Sequence, residues 1–251
     1  MKKRVITIII IVGVTIFLIL GAIFMVAYKE LEEEAILKKE IINYTNKDLL
    51  TDDFEVEVKT TGDRAYIEEA IKNYYKDLAE NMQSVANTIS NEELQNILSV
   101  ESIMKDRPSY QNGHRIITET REKVNKDMDQ IKKACEEEYI KGLIDKDKLS
   151  DPEYYYDLYL DLVYTDADIE DLKAASDQIE QTTTQLNQFF DIVERMLNFL
   201  ETNDSYLGYE NGQFYFTDLE VSNQFQAYIE KLDELANQMT VEEGKKESDT
   251  I

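Results

Sequence analysis

Little in this chain of 251 residues can stop a helix, because it holds only two prolines and eight glycines. Proline lacks the amide donor a helix needs, and glycine costs about 1 kcal/mol against alanine in a helix interior. Their scarcity favours long helices over a turn-rich β fold. Cysteine occurs once, at Cys135, so no intrachain disulfide can form. Histidine also occurs once, at His114, too few for a multi-histidine zinc site. Tryptophan is absent, and basic residues are outnumbered, 27 against 52 acidic. All the acids and 24 of the bases follow Ala27, so residues 28–251 carry a formal charge of −28. Such a surface repels phosphate backbones and anionic headgroups, which argues against a nucleic-acid partner. It suits a solvated helical face, or one that attracts basic partners or cations. No Walker motif, G-x-G-x-x-G, G-x-S-x-G or H-E-x-x-H is present. The sequence therefore offers no catalytic, cofactor-binding or metal-binding residue, and no cofactor.

What is present begins with an apolar run. Val5 to Ala27 contains 23 residues without a charge. As a helix it would span roughly 35 Å, enough for a hydrocarbon core of about 30 Å. The alternative is a cleaved signal peptide, whose apolar stretch is about 7–15 residues long and ends in an A-x-A-like site. Here the run is longer, and Met25-Val26-Ala27 lacks the small residue at the −3 position. An uncleaved anchor over 5–27 is the expectation. Lys2, Lys3 and Arg4 crowd its N-terminal flank. The positive-inside rule keeps residues 1–4 in the cytoplasm and sends the remainder across the membrane.

Beyond the anchor, residues 28–50 read as a charged helical stalk, and residues 51–241 as an acidic, antiparallel helical bundle. Phe54 to Val58 alternates apolar and acidic side chains, a strand signature, and is a candidate third strand. A helix starting near Asp63 carries Ile67, Ile71, Tyr74, Leu78, Met82, Val85 and Ile89 on one face. Ser90-Asn91-Glu92-Glu93 has the form of a capping box and predicts a restart. That second piece runs to just before Pro108, and a loop follows over 106–113. A further helix bears Ile117, Val124, Met128, Ile131 and Cys135, with Gly142 placed to end it. Ser150-Asp151-Pro152-Glu153 opens a short helix from Tyr154 to Tyr164.

The clearest stretch covers 166–201. Ile169, Leu172, Ser176, Ile179, Thr183, Leu186, Phe190, Val193, Leu197 and Leu200 alternate by three and four, a heptad seam. It serves either an intramolecular bundle or, over 169–200, a homo-oligomer. Asn211-Gly212 then separates two aromatic runs, the strongest short-range hairpin signal, over 206–217. A lone hairpin is marginal in water, so it should pack on the bundle. Thr217-Asp218-Leu219-Glu220 caps a last helix, and 242–251 read as a polar disordered tail.

Cys135 lies on an apolar stripe, which marks a buried inert thiol, and His114 falls in the predicted loop. Asp166, Asp168, Glu170 and Asp171 are a candidate cation cluster, but they lack the EF-hand pattern and suit a helix N-terminus. Tyr154, Tyr155, Tyr156 and Tyr159 form a dense patch beside Asp157 and Asp161. Consecutive helical residues point in different directions, so some of these rings should be exposed. Tyrosine joins apolar area to a polar tip and is common at binding surfaces. These four are the candidate partner-binding residues. The expected role is a non-catalytic, membrane-anchored extracytoplasmic protein-interaction module or accessory subunit of a cell-envelope assembly. The alternatives are a small-ligand or cation-binding domain and a carboxylate-dependent enzyme.

Overall fold

The computed structural model describes residues 35–163 and 166–249. They are mainly helical, with one two-stranded antiparallel sheet. The elements are α1 (Ala35–Thr45), α2 (Asp63–Ile89), α3 (Glu92–Asn96), α4 (Val100–Asp106), α5 (Gln111–Ala134), α6 (Glu137–Lys141), α7 (Pro152–Val163) and α8 (Asp166–Thr202). Strands β1 (Leu207–Glu210) and β2 (Gln213–Phe216) and helix α9 (Leu219–Asp249) complete the chain. The segments 1–4 and 5–27 lie outside the described residues. Among the described residues, no helix is long and apolar enough to cross a bilayer. The side chains of Asp166, Asp168, Ile169, Glu170 and Asp171 also lie outside the description.

The chain forms two compact units. One, here the hairpin unit, contains residues 86–125 and 181–249; the other, the α7 unit, contains residues 35–85 and 126–180. The chain changes unit within α2, α5 and α8.

In the α7 unit, α2 buries Ile67, Ile71, Tyr74, Leu78, Met82 and Val85, the stripe expected from the spacing. It runs antiparallel to α5: Tyr74 Oη donates to the Ala134 carbonyl (3.0 Å), while Ser84 Oγ donates to Asp127 (2.6 Å). Helix α1 falls within the segment read as a stalk, and its Leu37, Ile41 and Tyr44 are buried, so this part of the segment is core. Residues 54–58 are not a strand, and the sheet has no third member. Phe54 is buried edge-on against Tyr44, Val56 is half-buried, and Val58 stays in water with Glu55 and Glu57, so the sequence alternation reflects one anchored ring rather than a strand face. At the end of this segment, backbone groups are taken by α2 side chains. The Lys59 and Thr60 amides donate to the Glu68 carboxylate, and the Glu57 carbonyl accepts from Lys72 Nζ (2.7 Å).

In the hairpin unit, α5 and α8 are antiparallel. Contacts step from His114–Glu194 through Arg121–Asp191 to Asn125–Asn187, one number rising as the other falls. The seam of α8 is buried within one chain, at Leu172 and Ile179 in the α7 unit and at Leu186, Phe190, Val193, Leu197 and Leu200 in the hairpin unit. Its small positions are shifted from those expected. Ala175 and Thr182 are buried, and Ser176 and Thr183 are half-buried. The expected hairpin is present, with register from Leu207↔Phe216 to Glu210↔Gln213. Asn211 and Gly212 both take positive φ, 51° and 79°, the type I′ turn that Asn-Gly favours.

Several boundaries move. Asn91 rather than Ser90 caps α3, accepting from the Glu93 amide (2.7 Å), while Ser90 Oγ donates back to the Ala86 carbonyl (2.6 Å). The piece expected as one helix after Ser90 breaks at Ser99, which caps α4. The predicted loop 106–113 shortens to 107–110, because the Asp106 carboxylate accepts from the Asn112 and Gly113 amides and starts α5 there. Helix α5 ends at Ala134, and Gly142 ends the separate α6. The tail expected to be disordered is helical through Asp249. Once a helix is nucleated, Glu and Lys add residues at little cost.

Candidate functional site

The tyrosine group on α7 divides by helical direction. Tyr159 is fully buried, and its hydroxyl donates to the Ile140 carbonyl (2.6 Å). Tyr156 is buried, donates to the Lys141 carbonyl (3.3 Å) and has Lys146 Nζ over its ring at 3.5 Å. Both hydroxyls therefore satisfy carbonyls at the end of α6, which a helix leaves without internal partners. Tyr155 is half-buried against Arg64, and Tyr154, edge-on to Tyr155, is exposed. Two of the four candidate rings are thus structural, and the exposed surface of this patch is carried by Tyr154.

The groups that would carry chemistry are similarly committed. Burial pushes the Cys135 thiol up to about 12, so it is neither thiolate nor exposed. His114 sits in the first turn of α5 rather than in a loop. Its Nδ1 lies 2.7 Å from Glu194, and its Nε2 lies 3.9 Å from Glu201. Among the described residues, no three of His, Cys, Asp and Glu are placed to hold a metal ion.

A denser network lies where the 107–110 loop meets the turn before β1. Arg107 makes two contacts to the Asp204 carboxylate, Nε at 2.6 Å and Nη2 at 3.1 Å, and a third to the Asp204 carbonyl. Tyr110 is completely buried and donates to the same carboxylate (3.0 Å). The Arg107 hydrogen bonds hold Asp204 below the usual carboxylate range against partial burial, with Tyr110 adding to the effect. Burial, and then Asp204, pushes Tyr110 well above its ordinary value. Tyr110 also has φ of 48°, a left-handed conformation that costs a non-glycine residue about 1–2 kcal/mol. Its full burial and its bond to Asp204 hold it there. The network pins the base of the hairpin. Beside it, a cavity of about 590 Å³ is lined by Glu92, Glu93, Lys105, Asp106, Asn112 and other residues of the hairpin unit. Asp106 is already occupied as the cap of α5.

The hairpin itself is two-faced. Phe214 and Phe216 meet Phe225 of α9, and Phe216 also meets Phe199 of α8, with ring centroids 5.3–6.1 Å apart. The opposite face carries Tyr215, whose ring lies across Gly208; a Cβ there would fall 2.5 Å from the ring. Tyr206 shares the face of Tyr215, and Tyr209, opposite Phe214, lies on the other; Tyr206, Tyr209 and Tyr215 are 43%, 54% and 46% exposed, and Leu219, at the start of α9, is 77% exposed. None of these four residues is among the candidates read from the sequence. The Phe-Tyr-Phe order of β2 held the signal, since alternate strand residues face opposite sides.

In the α7 unit, a second cavity of about 350 Å³ is lined by Asp77, Glu80, Asp127, Tyr139 and neighbouring residues. Burial and Glu80 raise Asp77. No family model, curated protein or solved structure matches the chain.

Proposed function

We propose that this chain is a membrane-anchored, extracytoplasmic, non-catalytic protein-interaction module, an accessory subunit of a cell-envelope assembly. The observation that supports the reading best is the hairpin unit's exposure of Tyr206, Tyr209 and Tyr215 on the hairpin and of Leu219 at the start of α9. Exposed large side chains concentrated on one small element mark interaction surfaces more often than singly scattered ones do. The commitment of Cys135 and His114 to structural contacts fits a role without covalent chemistry. The anchor over 5–27 and its basic flank supply the placement: N-terminus in the cytoplasm, remainder outside.

The test is made in cells expressing the full chain. Protease added to intact cells should trim the bulk of the polypeptide, and the untreated chain should resist carbonate extraction with residue 1 or 2 still at its N-terminus. Protection of the bulk in intact cells, or a mature chain beginning near residue 28, overturns the placement. Photocrosslinkers at positions 209 and 154 should capture the same protein reproducibly. Capture of nothing from either position overturns the interaction role.

A second reading rests on the acidic cavity of the α7 unit, whose shape and charge would suit a small organic cation. Thermal melts of the full chain in detergent with spermidine and with Ca²⁺ test it. A melting point that rises with spermidine concentration favours it over the first reading.

A further inference from the structure

The hairpin carries an open strand edge, and its register shows which groups that edge presents. The Thr217 amide donates to the Tyr206 carbonyl (2.8 Å), so Tyr206 and Thr217 form a hydrogen-bonded pair. Such pairs alternate along an antiparallel ladder. Gly208↔Tyr215 and Glu210↔Gln213 are therefore hydrogen-bonded, while Leu207↔Phe216 and Tyr209↔Phe214 are not. The backbone groups of Leu207 and Tyr209 consequently point away from β2. The Leu207 amide is used locally, on the Asp204 carbonyl. The Leu207 carbonyl and both backbone groups of Tyr209 remain, and among the described residues no third strand meets them.

Charge says what the edge would accept. From Met196 to Glu230 the chain has no Lys or Arg, but it has Glu201, Asp204, Glu210, Asp218, Glu220 and Glu230. Of these, Asp204 is neutralised by Arg107. Glu210 borders the open edge, and Asp218 and Glu220 follow β2 at the base of the hairpin. A second copy of the hairpin would bring like charges together, and an anionic lipid surface would be repelled for the same reason.

We infer that the β1 edge of the hairpin binds an extended, basic segment of another polypeptide by strand addition. Backbone pairing to Leu207 and Tyr209 would supply the register. Alternate Lys or Arg side chains would lie on the face of Glu210, Tyr206 and Tyr215, and the apolar ones between them on the face of Tyr209. The inference rests on the interaction-module reading and specifies its partner and mode.

The experiment uses the full chain in nanodiscs of zwitterionic lipid and a short peptide alternating Lys and Val. Three companion peptides serve as controls: one with Glu in place of Lys, one N-methylated on alternate amides, and one of scrambled order. The Lys-Val peptide should bind with affinity that falls as salt rises, and it should slow hydrogen exchange at the Tyr209 amide. The Glu and N-methylated peptides should bind about tenfold more weakly or not at all. Glu210→Lys, which leaves the hairpin turn intact, should weaken the Lys-Val peptide by a similar factor and strengthen the Glu peptide. Equal binding of the N-methylated peptide overturns strand addition, and absence of Lys-Val binding or of Tyr209 protection overturns the site. Self-association of the full chain through the hairpin, or binding to anionic vesicles in preference to the peptide, overturns the choice of partner. The crosslinkers separate this proposal from its premise: capture from position 154 but not from 209 sinks the hairpin site and leaves the interaction module standing.

Discussion

Glu68 holds the loop before α2 with one carboxylate. It is fully buried and accepts from the Lys59 and Thr60 amides and the Thr60 hydroxyl, and its 2.6 Å bond from Lys72 Nζ is buried too. Lys72 is 3% exposed and has Glu40 at 3.4 Å, so removing the Glu68 charge leaves a buried cation short of its main partner. Glu68→Gln is expected to cost about 3 kcal/mol in urea denaturation of the full chain in detergent. The pH dependence follows from the same bonds. Burial would raise Glu68, but Lys72, Thr60 and Lys59 outweigh it and lower it from the ordinary 4.5; Lys59 and Lys72 lower Glu40 in the same way. Because the folded values lie below the ordinary one, this stability is complete above pH 4.5 and is lost as pH falls through the folded values. The gap between wild type and Glu68→Gln should therefore narrow on acidification below that point. A gap that stays constant would show that Glu68 does not act through its charge.

At the level of elements, the hairpin depends on its turn and on the aromatic seat beneath it. Gly212 has φ of 79° and open space where a Cβ would lie, so Gly212→Ala meets strain in the backbone rather than a clash. The expected cost is about 1 kcal/mol. It should appear as faster hydrogen exchange confined to 206–217 if the hairpin opens locally, with α5 and α8 unaffected. Uniform acceleration across the hairpin unit would instead mean that the hairpin is part of its cooperative core. The turn was legible in the sequence because Asn-Gly is one of the few pairs that tolerate two positive φ values in succession. The α8 seam was legible because its positions alternate by three and four from Ile169 to Leu200. The strand expected over 54–58 was misread for a related reason. Period-two alternation reports which side chains reach a core, not whether a neighbouring backbone lies within hydrogen-bonding distance.

Across the whole molecule, the formal charge of −25 makes self-repulsion a general term. At low ionic strength it opposes compactness, and the Debye length shrinks to about 10 Å at 0.1 M salt. Raising NaCl from about 0.01 M to 0.1 M should therefore lift Tm by a few degrees in the full chain. A falling Tm would mean that surface ion pairs such as Lys132–Glu180 contribute more than the net repulsion costs.

Sequence by itself determined the mainly helical class, the hairpin with its Asn-Gly turn, and the structural fate of Cys135. Each of these follows from local physics: periodic burial, turn geometry, and the scarcity of residues that break helices. Tertiary structure alone decided that Tyr156 and Tyr159 cap α6 while Tyr206, Tyr209 and Tyr215 face solvent. It also decided that His114 meets Glu194, eighty residues away, and that Arg107, Tyr110 and Asp204 close one network. Those outcomes depend on which distant groups a side chain meets, and neither composition nor spacing along one element carries that information.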